Sequence, residues 1–250
     1  MSFEKYTKTD QPGGGFDKGK ILENKPLGFQ QDGGKLKPYS NIFYWANAWS
    51  DEGGLIAEHP HRGFEIMSVV LKGTISHFDS EHKSWVDLNK GDVQIIRSGM
   101  GISHAEKFLK GARIFQIWFD PDLEKTWFKS PSYSNYNRAE FPILKSSNKE
   151  VVTIKGDQSP LSMDTPNIGI QFISFSTGVH EMDFDPDFVY SIYMIKGKMN
   201  VNEKTSLSPD DFLIVRNEKI SKLIVQEDSE IFVIKSPERI QYRTFAELFD

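Results

Sequence analysis

The sequence predicts an all-β protein made of two antiparallel jelly-roll β-barrels, the first near residues 1–130 and the second near 140–250. Three observations predict it. Apolar runs of four to seven residues, rich in β-branched and aromatic side chains, recur with Gly, Asp and Pro between them. Long stretches of amphipathic helical periodicity are hard to find. A strand-turn-strand unit occurs twice, once in each half.

Taken in order, Gly13-Gly14-Gly15, Gly33-Gly34 and Gly53-Gly54 punctuate the first third, and the run Ile42-Phe43-Tyr44-Trp45 between them reads as a strand. Further strands are expected at residues 66–71, 93–96, 114–119, 170–175, 189–195, 212–215 and 231–234. The stretch 121–140 reads as the linker, with Pro121, Pro131, Tyr133 and Asn137 in polar surroundings. Phe245 to Phe249 reads as a helical turn. The repeat begins with Ser68-Val69-Val70-Leu71-Lys72-Gly73, then Leu88 and Gly91-Asp92-Val93-Gln94-Ile95-Ile96-Arg97. It is answered by Ser191-Ile192-Tyr193-Met194-Ile195-Lys196-Gly197, Leu207 and Asp210-Asp211-Phe212-Leu213-Ile214-Val215-Arg216.

Composition narrows the function. At 250 residues, with 38% apolar and 26% charged residues, the chain has the make-up of a globular protein of one large or two ordinary domains. A net charge of -5 gives no cationic footprint for phosphates, so direct nucleic-acid binding is not expected. The absence of cysteine excludes disulfides, thiolate metal sites and a thiol nucleophile, so any metal must be held by His and carboxylates. The first ten residues lack the apolar core of a secretory signal, and the longest nearly apolar stretch, 188–195, is far too short to span a bilayer. A cytoplasmic protein without membrane partners is the expectation.

Of six histidines, three fall in two segments of matching spacing: His59-Pro60-His61 and His104-Ala105-Glu106. Alternate residues of a strand share a face, so each segment can turn both of its ligands toward one interior. Side by side, the two strands offer three imidazoles and one carboxylate. Pro60 cannot donate a ladder bond, which suits an edge strand. This donor set suits Fe(II), Mn, Ni, Cu(II) or Zn rather than Ca or Mg, and on a six-coordinate ion it leaves two positions open for substrate or O₂.

These segments resemble the pirin family. Gly53, five residues, then His59-Pro60-His61-Arg62-Gly63-Phe64-Glu65 is similar to the first cupin motif in its pirin form. Gly91-Asp92-Val93-Gln94 followed by Gly99-Met100-Gly101-Ile102-Ser103-His104-Ala105-Glu106 is similar to the second. Asn47-Ala48-Trp49 upstream and Gln116-Ile117-Trp118-Phe119-Asp120-Pro121 downstream extend the similarity to roughly residues 20–145. The resemblance implies a bicupin with one metal, iron first, in the N-terminal barrel, held by His59, His61, His104 and Glu106. It implies either a dioxygenase that opens a flavonol such as quercetin with O₂, or a metal-dependent, redox-sensing regulator that binds a protein partner. In the first case Glu106 is the expected base for the substrate hydroxyl. A vestigial or small-molecule-binding cupin is a third option. The second half has one histidine, His180, and no His-x-His, and residues 237–250 lack the Gly-Pro-Phe segment with which pirins commonly finish.

The remaining candidates have plainer readings. His77, His82 and His180 are expected to be packed or surface residues, and Glu65 to support the site rather than bind metal. Arg62 reads as a solvated arginine at the rim. Met100 and Phe64 fit a pocket lining and a core equally well, and Gly63, Gly99 and Gly101 let the chain turn sharply beside the strands.

Overall fold

The computed structural model describes residues 2–248. Strand β1 (Ser2–Tyr6) is followed by β2 (Gly13–Phe16), β3 (Ile21–Leu27), β4 (Ile42–Ser50), β5 (Gly54–His61), β6 (Glu65–Lys72) and β7 (Thr74–Asp79). Next come β8 (Val86–Asn89), β9 (Val93–Arg97), β10 (Ile102–Phe108), β11 (Ala112–Phe119), the short helix α1 (Leu123–Thr126) and β12 (Ser132–Tyr136). The rest of the chain supplies β13 (Ile143–Lys145), β14 (Lys149–Lys155), β15 (Gly169–Phe175), β16 (Gly178–Asp183), β17 (Phe188–Val201), β18 (Thr205–Leu207), β19 (Phe212–Arg216) and β20 (Ile220–Pro237). The fold is the antiparallel jelly roll that the sequence predicts. Among the described residues no helix is long and apolar enough to cross a membrane.

The chain forms two compact units. The first holds Gln11–Ala139, Ser162–Pro166 and the segment from Gln241 onward. It is a sandwich of a seven-stranded sheet, β12-β9-β6-β11-β4-β3-β2, and a four-stranded sheet, β5-β10-β7-β8. Ile21, Val70, Ile75, Leu88, Phe108 and Ile114 fill one end of its interior, while an aromatic group around Phe43, Phe64 and Trp118 fills the other. The second unit combines β1 with Glu140–Leu161 and Asn167–Ile240 in one nine-stranded sheet. Its long strands β17 and β20 pair from Phe188↔Pro237 to Val201↔Leu223, with register shifts on either side of Gly197 that bend the ribbon. Gly197 has φ +85°, and a Cβ there would collide with the Asp228 carbonyl.

The sequence repeat maps onto equivalent hydrogen bonds. In the first unit Val70 N–H donates to Asp92 O (3.0 Å) and Gly91 N–H to Val70 O (2.8 Å). In the second, Met194 N–H donates to Asp211 O (2.9 Å) and Asp210 N–H to Met194 O (2.8 Å). Each turn is closed by the aspartate side chain: Asn89 N–H donates to Asp92 at 2.8 Å and Ser208 N–H to Asp211 at 2.9 Å.

Two expectations are corrected and a third is met in part. Residues 121–140 are not a linker: Asp122 caps α1 by accepting from Glu124 N–H, and β12 pairs with β9 from Ser132↔Arg97 to Tyr136↔Val93. The stretch is polar because β12 is the edge of its sheet. Residues 2–6 do not join the first unit, because β1 pairs with β19. The turn expected at Phe245 to Phe249 is a 3₁₀ turn at Ala246–Leu248, and Phe249 lies outside the described residues.

Candidate metal centre

The centre is built on β5 and its neighbour β10. These strands pair Ile102↔His61, Ser103↔Pro60 and His104↔His59, then slip so that Glu106 faces Ile56. The slip is a bulge at Ala57 and Glu58, and β5 is the edge strand that Pro60 requires. The three imidazoles meet there, with ring centroids 4.5–4.9 Å apart. His104 is fully buried, whereas His59 and His61 keep partial exposure. His59 Nδ1 sits 2.8 Å from Ala57 O, a contact that requires the proton on Nδ1 and turns the Nε2 lone pair inward.

These residues fit a transition metal. His59 Nε2 and His104 Nε2 lie 3.1 Å apart, close to the ~3 Å that two imidazole nitrogens show when each is about 2.1 Å from one ion at a right angle. His61 Nε2 is buried with no hydrogen-bond partner among the described residues, as a ligand atom awaiting an ion would be. Burial, reinforced by the His59 imidazole, pushes His61 down to about pH 3. Burial likewise holds His104 well below the usual histidine range. Both rings therefore offer lone pairs rather than protons at neutral pH.

Glu106 is reached from the opposite sheet. Gln94 on β9, Ser68 on β6 and Gln116 on β11 stand in one cross-strand row, Ser68↔Gln94 and Gln116↔Ser68. All three donate to the Glu106 carboxylate: Ser68 Oγ at 3.0 Å and Gln94 Nε2 at 3.0 Å to Oε1, and Gln116 Nε2 at 2.5 Å to Oε2. Burial raises the Glu106 pKa above the ordinary glutamate value, partly offset by these donors and by His59. Potential ligand atoms within 4.8 Å of one another form two groups that share His104: His59 with His61 and His104, and His77 with His104 and Glu106. The four candidates of the sequence therefore divide three and one around His104.

His77 is the residue that sequence reasoning missed. It is directly opposite Glu106 in the β7–β10 pairing, and Asp79 is opposite His104. His77-Phe78-Asp79 has the same alternate spacing that singled out the two histidine segments, so the signal was present. His82 is an exposed neighbour of Asp79, and His180 lies in the second unit, its Nε2 2.8 Å from Ser176 O.

Arg62 does not pair with Glu65; its guanidinium lies over the Trp127 ring at 4.6 Å. Glu65 is instead a structural tie, accepting from Asp164 N–H (2.8 Å), Thr165 N–H (2.7 Å) and the Thr165 hydroxyl (2.5 Å). Met100 is exposed and lines, with Pro60, His61, Arg62 and Ile102, an opening of about 500 Å³ beside the imidazoles. Phe64 is core, stacked on Trp118 at 4.9 Å. The tail contributes although it lacks Gly-Pro-Phe: the Phe245 ring lies 4.9 Å from Phe64 and 5.6 Å from Phe43. Phe245 N–H and Ala246 N–H are held by the Asp120 carboxylate at 2.7 and 3.3 Å. Gly63 (φ +90°) makes room for this packing, since a Cβ there would lie 2.6 Å from Trp127 and 3.3 Å from Phe245.

The chain is similar in sequence and in fold to known proteins. A family model described as Pirin matches residues 36–119, which contain all four candidate ligands and His77. A Pseudomonas aeruginosa protein named as a candidate quercetin 2,3-dioxygenase is 28% identical over 201 residues, 75% of this chain and 81% of that protein. A pirin-like protein of Caulobacter vibrioides is 29% identical over 185 residues, 70% and 75% of the two chains. In three dimensions the chain is similar to the bacterial pirin YhhW of Escherichia coli in complex with nickel(II), with a TM-score of 0.79, 20% identity, and 95% and 100% of the two chains covered. Sequence motifs, matched family model and fold point the same way: over residues 36–119 the chain is similar to the Pirin family, and its fold is similar to that of a solved pirin.

Proposed function

We propose that the chain is a metal-dependent dioxygenase acting on a planar, enol-bearing aromatic of the flavonol class. The observation that carries this reading is the meeting of three imidazoles beside an opening, with a buried carboxylate behind them. His59, His61 and His104 would hold the ion, with Glu106 as the fourth ligand and iron as the first choice. When bound, the metal supplies Lewis acidity and a template for substrate and O₂. Glu106, whose pKa burial raises above the ordinary glutamate value, accepts the substrate hydroxyl proton at a carboxylate oxygen. Ser68, Gln94 and Gln116 keep that carboxylate aimed and stabilise its charge. The half-buried Trp118, its ring 5.1 Å from that of His61, gives the neighbouring wall an apolar face suited to a flat ring. The relatives named for quercetin dioxygenase support the substrate class.

Protein loaded with Fe(II), Mn(II), Ni(II) or Cu(II) and offered quercetin in air is expected to consume O₂ and bleach the flavonol absorption band. His104→Ala is expected to lose both metal and turnover. Full metal occupancy without turnover on any of several flavonols would assign the chain to the other branch, a redox-sensing module that binds a protein partner.

A further inference from the structure

The metal centre has an inner side that the ligand set His59, His61, His104 and Glu106 does not explain. His77 is wholly buried, and its Nε2 lies 3.0 Å from Asp79 Oδ2. Asp79 also accepts Glu81 N–H (2.9 Å) and His82 N–H (2.8 Å). An ionised Asp79 can only accept, so the His77 proton sits on Nε2 and Nδ1 is a bare lone pair. The Tyr133 ring fixes this orientation, stacked on His77 at 4.3 Å and 3°. His77 Nδ1 is buried with no hydrogen-bond partner among the described residues, and so is His104 Nδ1. A buried bare nitrogen without a donor is costly unless something electropositive lies beside it.

We propose that His77, His104 and Glu106 form a second, inner cation position, with Asp79 as the carboxylate that orients His77 for ligation. The geometry is direct: His77 and Glu106 are cross-strand partners, and the ligand atoms of the three residues lie within 4.8 Å of one another. A carboxylate hydrogen-bonded to one nitrogen of a histidine is the usual outer support of a metal-binding imidazole, and Asp79 is so bonded to His77. Two imidazoles and one carboxylate suit the same divalent transition ions as the outer group. Because both positions use His104, the centre has an alternative seat for its cation, reached when the outer histidines are lost or displaced. The inference is independent of the dioxygenase reading, since metal uptake is read without substrate.

The test is Co(II) uptake by the full chain, followed by titration calorimetry and the visible absorption of bound Co(II). The double variant His59→Ala/His61→Ala is expected to remain folded by circular dichroism and to bind Co(II) roughly 10–100-fold more weakly than the unsubstituted chain. Adding His77→Gln, which keeps a donor toward Asp79, is expected to weaken it at least about another 10-fold. A folded double variant that takes up no Co(II), or one indifferent to His77→Gln, overturns the proposal. If His77→Gln prevents folding, Cu(II) in the double variant answers the same question by pulsed electron paramagnetic resonance. Coupling to two imidazoles, His77 and His104, supports the inner position, and coupling to one refutes it.

Discussion

Gln116→Met isolates one of the three donors that hold Glu106. The substitution keeps side-chain length and removes the single hydrogen bond to Oε2, while Ser68 and Gln94 continue to serve Oε1. A hydrogen bond to an ionised group contributes about 1.5–3 kcal/mol. At about 1.4 kcal/mol per pKa unit, its loss raises the Glu106 pKa by about 1–2 units beyond the elevation burial already causes. The sign follows from ligation: only the carboxylate binds metal, so uptake fails as pH falls through the Glu106 pKa, and a higher pKa makes it fail earlier. His61, pushed down to about 3, and His104, held well below the usual histidine range, stay unprotonated through most of that fall. Co(II) occupancy measured against pH should show the acid midpoint of Gln116→Met about 1–2 pH units above that of the unsubstituted chain. Superimposable acid limbs, with equal occupancy at alkaline pH, would refute the view that Gln116 stabilises the charged form of Glu106.

Three further outcomes are expected. Glu65→Ala strands three donors at Asp164 and Thr165 and should cost about 3–5 kcal/mol in urea unfolding, and a loss below about 1 kcal/mol would contradict the tie. Burial lifts Asp120 to about 7 from 3.8, so its contribution is fully present below pH ~4 and is lost as pH climbs through 7, by up to about 4 kcal/mol. Asp120→Asn should flatten that alkaline decline, and parallel urea midpoints for the two proteins between pH 5 and 8 would count against it. Phe245→Ala removes a partly buried ring from Phe43 and Phe64, a loss of about 1–2 kcal/mol. Faster amide exchange at Phe245 and Ala246 is the expected signature, and unchanged protection would show that the backbone bonds to Asp120 hold the tail alone.

Much of the candidate site was legible because its logic is local. Alternate spacing in His59-Pro60-His61 and His104-Ala105-Glu106 sets which side chains share a face, whatever the partner strand. The placement of Pro60 on an edge strand followed from its missing N–H. What could not be read depends on register. The row Gln94–Ser68–Gln116 draws its members from three strands, and no local pattern marks them as neighbours. The bulge at Ala57 and Glu58 offsets Glu106 from the β5 histidines and divides the ligands into two groups, a consequence of pairing rather than of spacing. His77 was discounted as a single histidine, although His77-Phe78-Asp79 obeyed the same rule as its neighbours. The polar composition of residues 121–140 suggested a linker, because an edge strand packed on one side needs little apolar surface.

The threading of the chain governs how it can be cut. Strand β1 adds to β19, while residues 162–166 and 241–248 complete the unit that carries the histidines. Severing the peptide chain in the exposed turn near Ser147 would therefore leave an amino-terminal fragment with two orphaned strands, β1 and β13, and with Glu65 deprived of Thr165. The matching carboxy-terminal fragment would lack both edge strands of its sheet, β1 and β13. A nicked molecule should keep both compact units, whereas either piece made alone should aggregate: each unit draws strands from both sides of the cut, so the protein has no natural midpoint.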